Sequence, residues 1–476
     1  MRIANWAIGV ALIGSLTAGT ARAQSYPGQQ AAEQAYGYAE VDGTSGSASA
    51  VEQAAYGYAE ALDEPAAPPN PSVASPSDAA SGLQPAPQDN WADYGSSGAC
   101  GSCVGGDYGA CTTCCPLGEP LRIFGKHSSG IEAGGWVSVG GHGNENQATL
   151  NGPLGFNNLG DGVNVHQLWF YAGKEVNTEG CGWDWGARVD YVFGVDGPDT
   201  QAVRGTGWDL EWDSGDYGSA IPQAYAEIGI DYLTVKAGYF FTPIGYERVQ
   251  APKNFFYSHS YTQYYIEPFT HTGALATYDG FEDFTFYGGW TAGWDTAFER
   301  TGDSNMFLGG IKYSPNDDLS VTYMTSAGTM DNLTAAGQIR TGEAYMHSIV
   351  MEMHMTDRIE WVIQSDFHHR DGRQHNVCAA GVNQYVFYKV NDCWSIGGRF
   401  EWLYDRDGAF VCPGLASGNF YNLTGGVNWK PHANIVVRPE VRYDWFAGTY
   451  NPGGLPFDNA TEDDQFSLGF DVIITY

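Results

Sequence analysis

Phe466-Ser467-Leu468-Gly469-Phe470-Asp471-Val472-Ile473-Ile474-Thr475-Tyr476 alternates with period two. Phe466, Leu468, Phe470, Val472, Ile474 and Tyr476 fall on one face of an extended strand, and Ser467, Gly469, Asp471 and Thr475 on the other. The same division recurs upstream. Trp394, Ile396, Phe400, Trp402 and Tyr404 alternate with Ser395, Arg399, Glu401 and Asp405. Val437, Val441, Tyr443 and Trp445 alternate with Arg438, Glu440, Arg442 and Asp444, and Trp183, Trp185, Val189 and Tyr191 with Arg188 and Asp190. A row carrying both signs of charge is foreign to a packed core. One face suits lipid and the other water, which predicts an all-β transmembrane antiparallel barrel. Arg188, Asp190, Arg399, Glu401, Arg438, Glu440, Arg442 and Asp444 are then candidate lumen-facing residues, and a one-residue register slip would turn them to lipid.

Sixteen segments read as strands: near 131–140, 163–176, 183–194, 222–231, 233–242, 272–279, 283–294, 306–314, 318–327, 343–355, 358–368, 378–390, 393–405, 419–430, 434–446 and 464–476. An even count, sixteen within a range of about 14 to 18, suits a single-chain bacterial barrel. Connections alternate in length. Thr356-Asp357, Asn391-Asp392, Pro315-Asn316-Asp317 and Pro431-His432-Ala433 are tight, whereas 195–221, 243–271 and 447–463 are long. Short periplasmic turns and long external loops produce this parity and make 243–271 the third external loop. Aromatic residues near the strand ends suit interfacial girdles. A terminal strand ending on an aromatic residue resembles the signal by which bacterial outer-membrane barrels are assembled, so Phe470, Val472, Ile474 and Tyr476 are assigned to that role and the barrel-assembly machinery is an expected partner.

Composition agrees. The 476 residues include 64 Gly, 30 Tyr, 23 Phe and 15 Trp but are only 16% charged, a sparse set for a wholly water-facing surface. With 22 Lys and Arg against 55 Asp and Glu, the net charge of −33 opposes phosphate neutralisation and excludes nucleic acid as a partner. Met1-Arg2-Ile3-Ala4, the apolar run Trp6 to Leu16 and Ala21-Arg22-Ala23 form an expected signal peptide over 1–23. Residues 24–121 carry twelve acidic residues and no Lys or Arg. Rich in Ala, Pro, Gly and Ser, they bury too little apolar surface to offset ordering entropy and are expected to form a disordered spacer, with cell-wall contact through its Tyr-Gly-Tyr repeats as one role. Cys100, Cys103, Cys111, Cys114 and Cys115 give CxxC-x7-CxxCC. Export favours disulfides over zinc there, and a second clip is expected between Cys378 and Cys412. The expected domains are thus 1–23, 24–121 and a barrel over 122–476.

The third loop and its flanks read Gly238-Tyr239-Phe240-Phe241-Thr242-Pro243-Ile244-Gly245-Tyr246-Glu247, Ala251-Pro252-Lys253-Asn254-Phe255-Phe256-Tyr257-Ser258-His259-Ser260-Tyr261 and Ile266-Glu267-Pro268-Phe269-Thr270-His271-Thr272-Gly273. With Asn391-Asp392-Cys393-Trp394 ahead of a Gly-Gly-Arg-Phe-Glu-Trp strand, these segments resemble the bacterial outer-membrane β-barrel porins described as OmpL-like, over roughly 131–476. The resemblance implies an outer-membrane pore and supplies no catalytic residues, no cofactor and no metal. Within the loop, Glu247, Arg248, Lys253, His259, Glu267 and His271 are candidate constriction residues; the alternative is that they pair with the wall and brace the loop. Asp196, Asp199, Asp209, Glu211, Asp213 and Asp216, placed outside, suggest a weak cation preference.

The function expected is passive diffusion of small hydrophilic solutes or ions through a lumen narrowed by the third loop, in an outer-membrane protein that forms a homotrimer as many porins do. A plugged barrel serving as surface adhesin, receptor or structural scaffold is the rival. A catalytic set drawn from Ser365, Asp366, His368 and His369 fails on alternation, because neighbouring strand residues point to opposite faces. A loop metal site of His368, Asp371 and His375 lacks a recognised spacing.

Overall fold

The computed structural model describes residues 117–124, 130–160, 162–202, 209, 212–298, 300, 303–333, 339–371 and 376–476. The expected signal peptide, the bulk of the acidic spacer and the five cysteines between 100 and 115 lie outside them, as do Glu211 and His375. Among the described residues no helix is long and apolar enough to cross a membrane, so any crossing is made by strands.

Sixteen long antiparallel strands form one closed sheet. They are β1 Glu132–Asn144, β2 Asn164–Lys174, β3 Trp183–Gly194, β4 Tyr217–Ile230, β5 Leu233–Phe241, β6 Thr270–Tyr278, β7 Phe284–Trp294 and β8 Asn305–Asn316, followed by β9 Leu319–Leu333, β10 Ile339–Thr356, β11 Ile359–Arg370, β12 Val377–Asn391, β13 Trp394–Asp405, β14 Ala416–His432, β15 Ile435–Tyr450 and β16 Asp464–Thr475. A two-residue strand, Asp213–Ser214, adds a ribbon beside β4 in the external loop that precedes it. Each long strand pairs with its neighbours in sequence, and β1 pairs with β16 from Trp136↔Thr475 to Asn144↔Ser467. That last ladder removes both open edges, which would be unsatisfiable in hydrocarbon. Tyr476 secures the seam: it exchanges backbone bonds with Gly135 at 2.9 and 3.0 Å, and its hydroxyl donates to the Trp169 carbonyl at 2.9 Å.

The two faces divide as the alternation predicts. On β16, Leu468 and Phe470 are 55% and 44% exposed while Asp471 is 0% exposed. On β15, Val441 and Tyr443 point outward and Arg438, Glu440, Arg442 and Asp444 are buried inside. Outward aromatic side chains collect near the short turns: Trp183, Tyr232, Tyr278, Phe284, Tyr313, Tyr388, Trp394 and Trp429. Trp394 and Trp429 stack across β13 and β14 at 5.6 Å, and Phe284 and Tyr313 across β7 and β8 at 4.8 Å. Trp and Tyr combine an apolar body with a polar edge, which suits a membrane interface, and Phe284 adds apolar area alone.

All the two-residue turns lie at one end, among them 231–232, 317–318, 357–358, 392–393 and 433–434. Residues 117–121 are tied to that same rim: Ala433 N donates to the Leu117 carbonyl at 2.8 Å, and Asn434 bonds both backbone groups of Leu121 at 2.6 and 2.9 Å. Cys393, in the turn before β13, is disulfide-bonded. Cys378 and Cys412 are free thiols, so the clip expected between them is absent. The reason is packing. Cys378 Sγ lies 3.1 Å from His369 Nδ1, and Cys412 packs against the apolar cluster of Phe410, Val411 and Ala416.

Candidate functional site: the inserted loop and its wall

Between β5 and β6 the chain leaves the sheet for residues 242–269 and folds back inside the barrel. It holds little regular structure, one 3-10 turn at Ala251–Lys253 and a π turn at Thr262–Ile266. Its backbone groups therefore need partners, and the inward row of the wall supplies them. Glu440 accepts the N–H groups of Tyr257 at 2.9 Å and of Ser258 at 3.1 Å. Glu401 accepts those of Tyr261 at 2.9 Å and Thr262 at 2.7 Å. Arginines take the carbonyls. Arg438 Nη1 donates to Ala251, Asn254 and Phe256 at 2.9, 2.7 and 2.9 Å, Arg442 Nη1 to His259 at 2.6 Å, and Arg399 Nη1 to Ser258 at 2.7 Å.

Each arginine is neutralised at the same time. Arg438 forms a two-pronged pair with Asp471 at 2.8 and 2.6 Å, Arg442 pairs with Asp444 at 2.7 Å, and Arg399 with Glu247 of the loop at 2.7 Å. Such pairs repay desolvation only when their remaining donors are also satisfied, and here the loop carbonyls satisfy them. From the other side β2 contributes Gln167, whose amide donates to the Val249 carbonyl at 2.7 Å and accepts the Ala251 N–H at 3.0 Å. His166, also on β2, bonds the Tyr257 hydroxyl. Aromatic contacts fill the gaps, with Phe255 on Phe387 at 4.7 Å and Tyr246 on Tyr385 at 4.9 Å.

Of the six candidate constriction residues, five are buried and engaged. Burial pushes the Glu247 carboxyl up, but Arg399, His259 and the Ser260 N–H outweigh it and hold it below the usual carboxylate range. Arg248 Nη1 donates to the carbonyls of Thr242 and Ile244 at 3.3 and 3.2 Å. His259 Nε2 donates to the Arg248 carbonyl at 3.0 Å, and burial, opposed by Glu247, brings its imidazole below the usual range. Glu267 accepts from the Gln364 amide, and burial with the neighbouring Asp366 carboxylate pushes its own carboxyl well up. Gly245 makes that approach possible. At φ +82°, a β-carbon on it would stand 2.0 Å from Glu267 Oε2. His271 Nε2 meets Thr242 Oγ1 at 3.0 Å. Lys253 alone keeps part of its side chain open to water.

The other sequence candidates are also placed. Asp190, Arg399, Glu401, Arg438, Glu440, Arg442 and Asp444 are buried on the inner face, and Arg188 is half-buried there beside Asp190 at 2.6 Å. Val472, Ile474 and Tyr476 stand in the closing seam with Phe470. Asp196 and Asp209 are buried rather than external charges, Asp196 against His166 and Gln167 at 2.8 Å each. Burial, opposed by a bond from Tyr264 and reinforced by Asp196 and Asp213, pushes the Asp199 carboxyl up to about 7. This weakens the cation preference expected from that loop; Asp213 and Asp216 remain exposed. Asp366 and His368 face inward while Ser365 and His369 do not, and Asp371 accepts the Glu343 N–H at 3.0 Å.

A second inserted loop was not expected from the sequence. Residues 145–163, between β1 and β2, also turn inward. Asn151 is its hub, donating to the carbonyls of His142, Asn157 and Leu159 at 2.9, 2.8 and 2.9 Å. Phe156 packs on His259 at 4.9 Å and on Tyr264 at 5.3 Å. The signal was Leu150-Asn151-Gly152-Pro153-Leu154-Gly155-Phe156, too apolar for an exposed loop tip.

The family model "Putative beta-barrel porin-2, OmpL-like" matches residues 130–476. The chain belongs to that family. It is an outer-membrane β-barrel of the porin type, as its lipid-facing and lumen-facing rows require. One solved structure shares the fold at low identity. An anion-selective porin from Comamonas acidovorans aligns with TM-score 0.52 and 8% identity over 73% of this chain and 99% of its own. OmpT of Vibrio cholerae gives 0.47 and 13% over 75% and 100%, and the outer membrane channel DcaP of Acinetobacter baumannii 0.47 and 10% over 74% and 99%. No curated protein matches the chain.

Proposed function

We propose that this porin is a passive diffusion channel for small hydrophilic solutes or ions, with its lumen narrowed by the loop 242–269. The observation that carries this is the strapping of that loop to the inner wall by Arg399, Glu401, Arg438, Glu440 and Arg442. A loop held by buried charge pairs keeps one shape under ion flux, as a fixed aperture requires. No reaction is assigned to it. Export by residues 1–23, insertion by the barrel-assembly machinery at the last strand and assembly as a homotrimer complete the proposal.

A specific observation favours the rival plugged scaffold or receptor. Leu154, Tyr261, Leu403, Phe410, Val411, Phe420, Phe446 and Phe457 form an apolar cluster inside the outer half, fed by the inserted loops. Single-channel recording in a planar bilayer separates the two. The refolded chain from residue 24 onward is compared with a version lacking 243–269. Stable steps that enlarge on deletion support the channel; a folded barrel that passes no current supports the plug.

A further inference from the structure

The strapped loop lies against β11 to β16 and β2, and the lumen between it and the facing wall keeps side chains within reach of water. Tyr171 on β2, Arg188, Tyr225, Lys236 and Tyr287 on the facing wall from β3 to β7, and Lys253 on the loop are all partly exposed there. Arg188 lies 4.4 Å over the Tyr171 ring and Lys236 4.3 Å over Tyr225. Val249 and Ala251 of the loop pack in the cluster that includes Tyr171, which brings Lys253 to the same place. Its ammonium has no hydrogen bond or ion pair among the described residues. Arg248, buried beside it, has an Nε without a partner. By contrast Lys236 is paired with Glu227 at 3.2 Å and Arg188 with Asp190 at 2.6 Å.

A cation left unpaired in a confined lumen, beside two others, is unfavourable until an anion arrives. We propose that Lys253, Arg248 and Arg188 form a transit site for small inorganic or carboxylate anions and give the channel an anion preference. This rests on the channel function proposed above and reverses the cation preference suggested by the external acidic residues. The charged groups acting on Lys253 are Arg188 and Asp190 from β3, Arg248 from the loop and Glu175 from the turn after β2. Burial, then Arg188 and Arg248, bring the ammonium down to about 8, so the preference falls as pH rises through that value.

The test is the reversal potential of the full channel in a potassium chloride gradient, from about pH 6.5 to 9.5, for the wild type, Lys253→Gln and Lys253→Arg. Expected is a chloride preference at pH 6.5, reduced about twofold or more by Lys253→Gln, as for loss of one charge in a low-dielectric eyelet. Lys253→Arg keeps the preference but loses its decline near pH 8. An open channel whose reversal potential ignores both variants overturns this inference and leaves the channel intact. No current in any form overturns the channel itself and the transit site with it. If Lys253→Gln fails to fold, Lys253→Arg still decides, because a decline near pH 8 that persists in it refutes the role of Lys253.

Discussion

Replacing Arg438 by Met tests whether the loop is held by the wall or merely rests on it. The substitution removes three bonds to loop carbonyls, at 2.9, 2.7 and 2.9 Å, and the two-pronged pair with Asp471. Hydrogen bonds from a charged donor contribute roughly 1.5 to 3 kcal/mol each, and bonds sharing one donor group do not add. Asp471 is left buried with only the Ser138 hydroxyl at 2.9 Å, and breaking a buried pair costs about 3 to 5 kcal/mol. The expected total, about 4 to 7 kcal/mol, falls on the loop and its seam rather than on the strand ladders. Limited proteolysis within 242–269 and single-channel conductance should both rise. Removing the orphaned charge as well, in Arg438→Met with Asp471→Leu, should recover most of the thermal stability and none of the loop protection. A single variant with the protease resistance and conductance of the parent would refute the strapping mechanism.

Phe470→Arg places a charge on the lipid face of the closing strand and should cost about 2 to 4 kcal/mol, read from urea titrations in bilayers. Gly245→Ala forces a β-carbon toward the Glu267 carboxylate and should lower the melting temperature and loosen the loop to proteases. The Glu267 carboxyl is raised in the folded state by burial and by Asp366, so the fold binds more protons than the unfolded chain above the ordinary carboxylate range. Stability should fall as pH rises from about 4.5 through the raised value, and Glu267→Gln should flatten that decline in thermal melts. Maleimide added before reduction should label exposed Cys181, and Cys393 only after reduction, as peptide mapping would show.

The barrel was legible because lipid and water impose a local rule on each strand. Phe470 and Asp471 are adjacent, and their opposite placement follows from strand geometry with no knowledge of neighbours. The loop charges obey no such rule. Glu247 finds Arg399 across 152 positions, and Tyr257 finds Glu440 across 183. Nothing near Glu247 in the chain indicates that it will be buried in a brace instead of lining an opening. The inward turn of 145–163 was missed for a related reason: Phe156 has its partners in another loop. The clip between Cys378 and Cys412 was expected because export favours disulfides, but an oxidising compartment fixes no partner: one thiol lies beside His369 and the other in an apolar cluster.

Counting wall charges to infer what the pore selects would fail here for a physical reason. An irregular loop inside a barrel presents carbonyls and N–H groups in no fixed order, so a wall that holds it must offer donors and acceptors side by side. Arg438 with Asp471, and Arg442 with Asp444, do this: the carboxylate cancels the arginine charge while a free N–H edge reaches the loop. Glu401 and Glu440 take the N–H groups, and both are closed off from water. These charges are screened from permeants by the loop they hold, and their fields largely cancel in pairs. Selectivity falls to the charges that strapping leaves over, which are few: Lys253 on the open side of the loop and Arg188 on the wall facing it. Moving one of them, Lys253, should alter the reversal potential more than neutralising the Arg442–Asp444 pair as a whole.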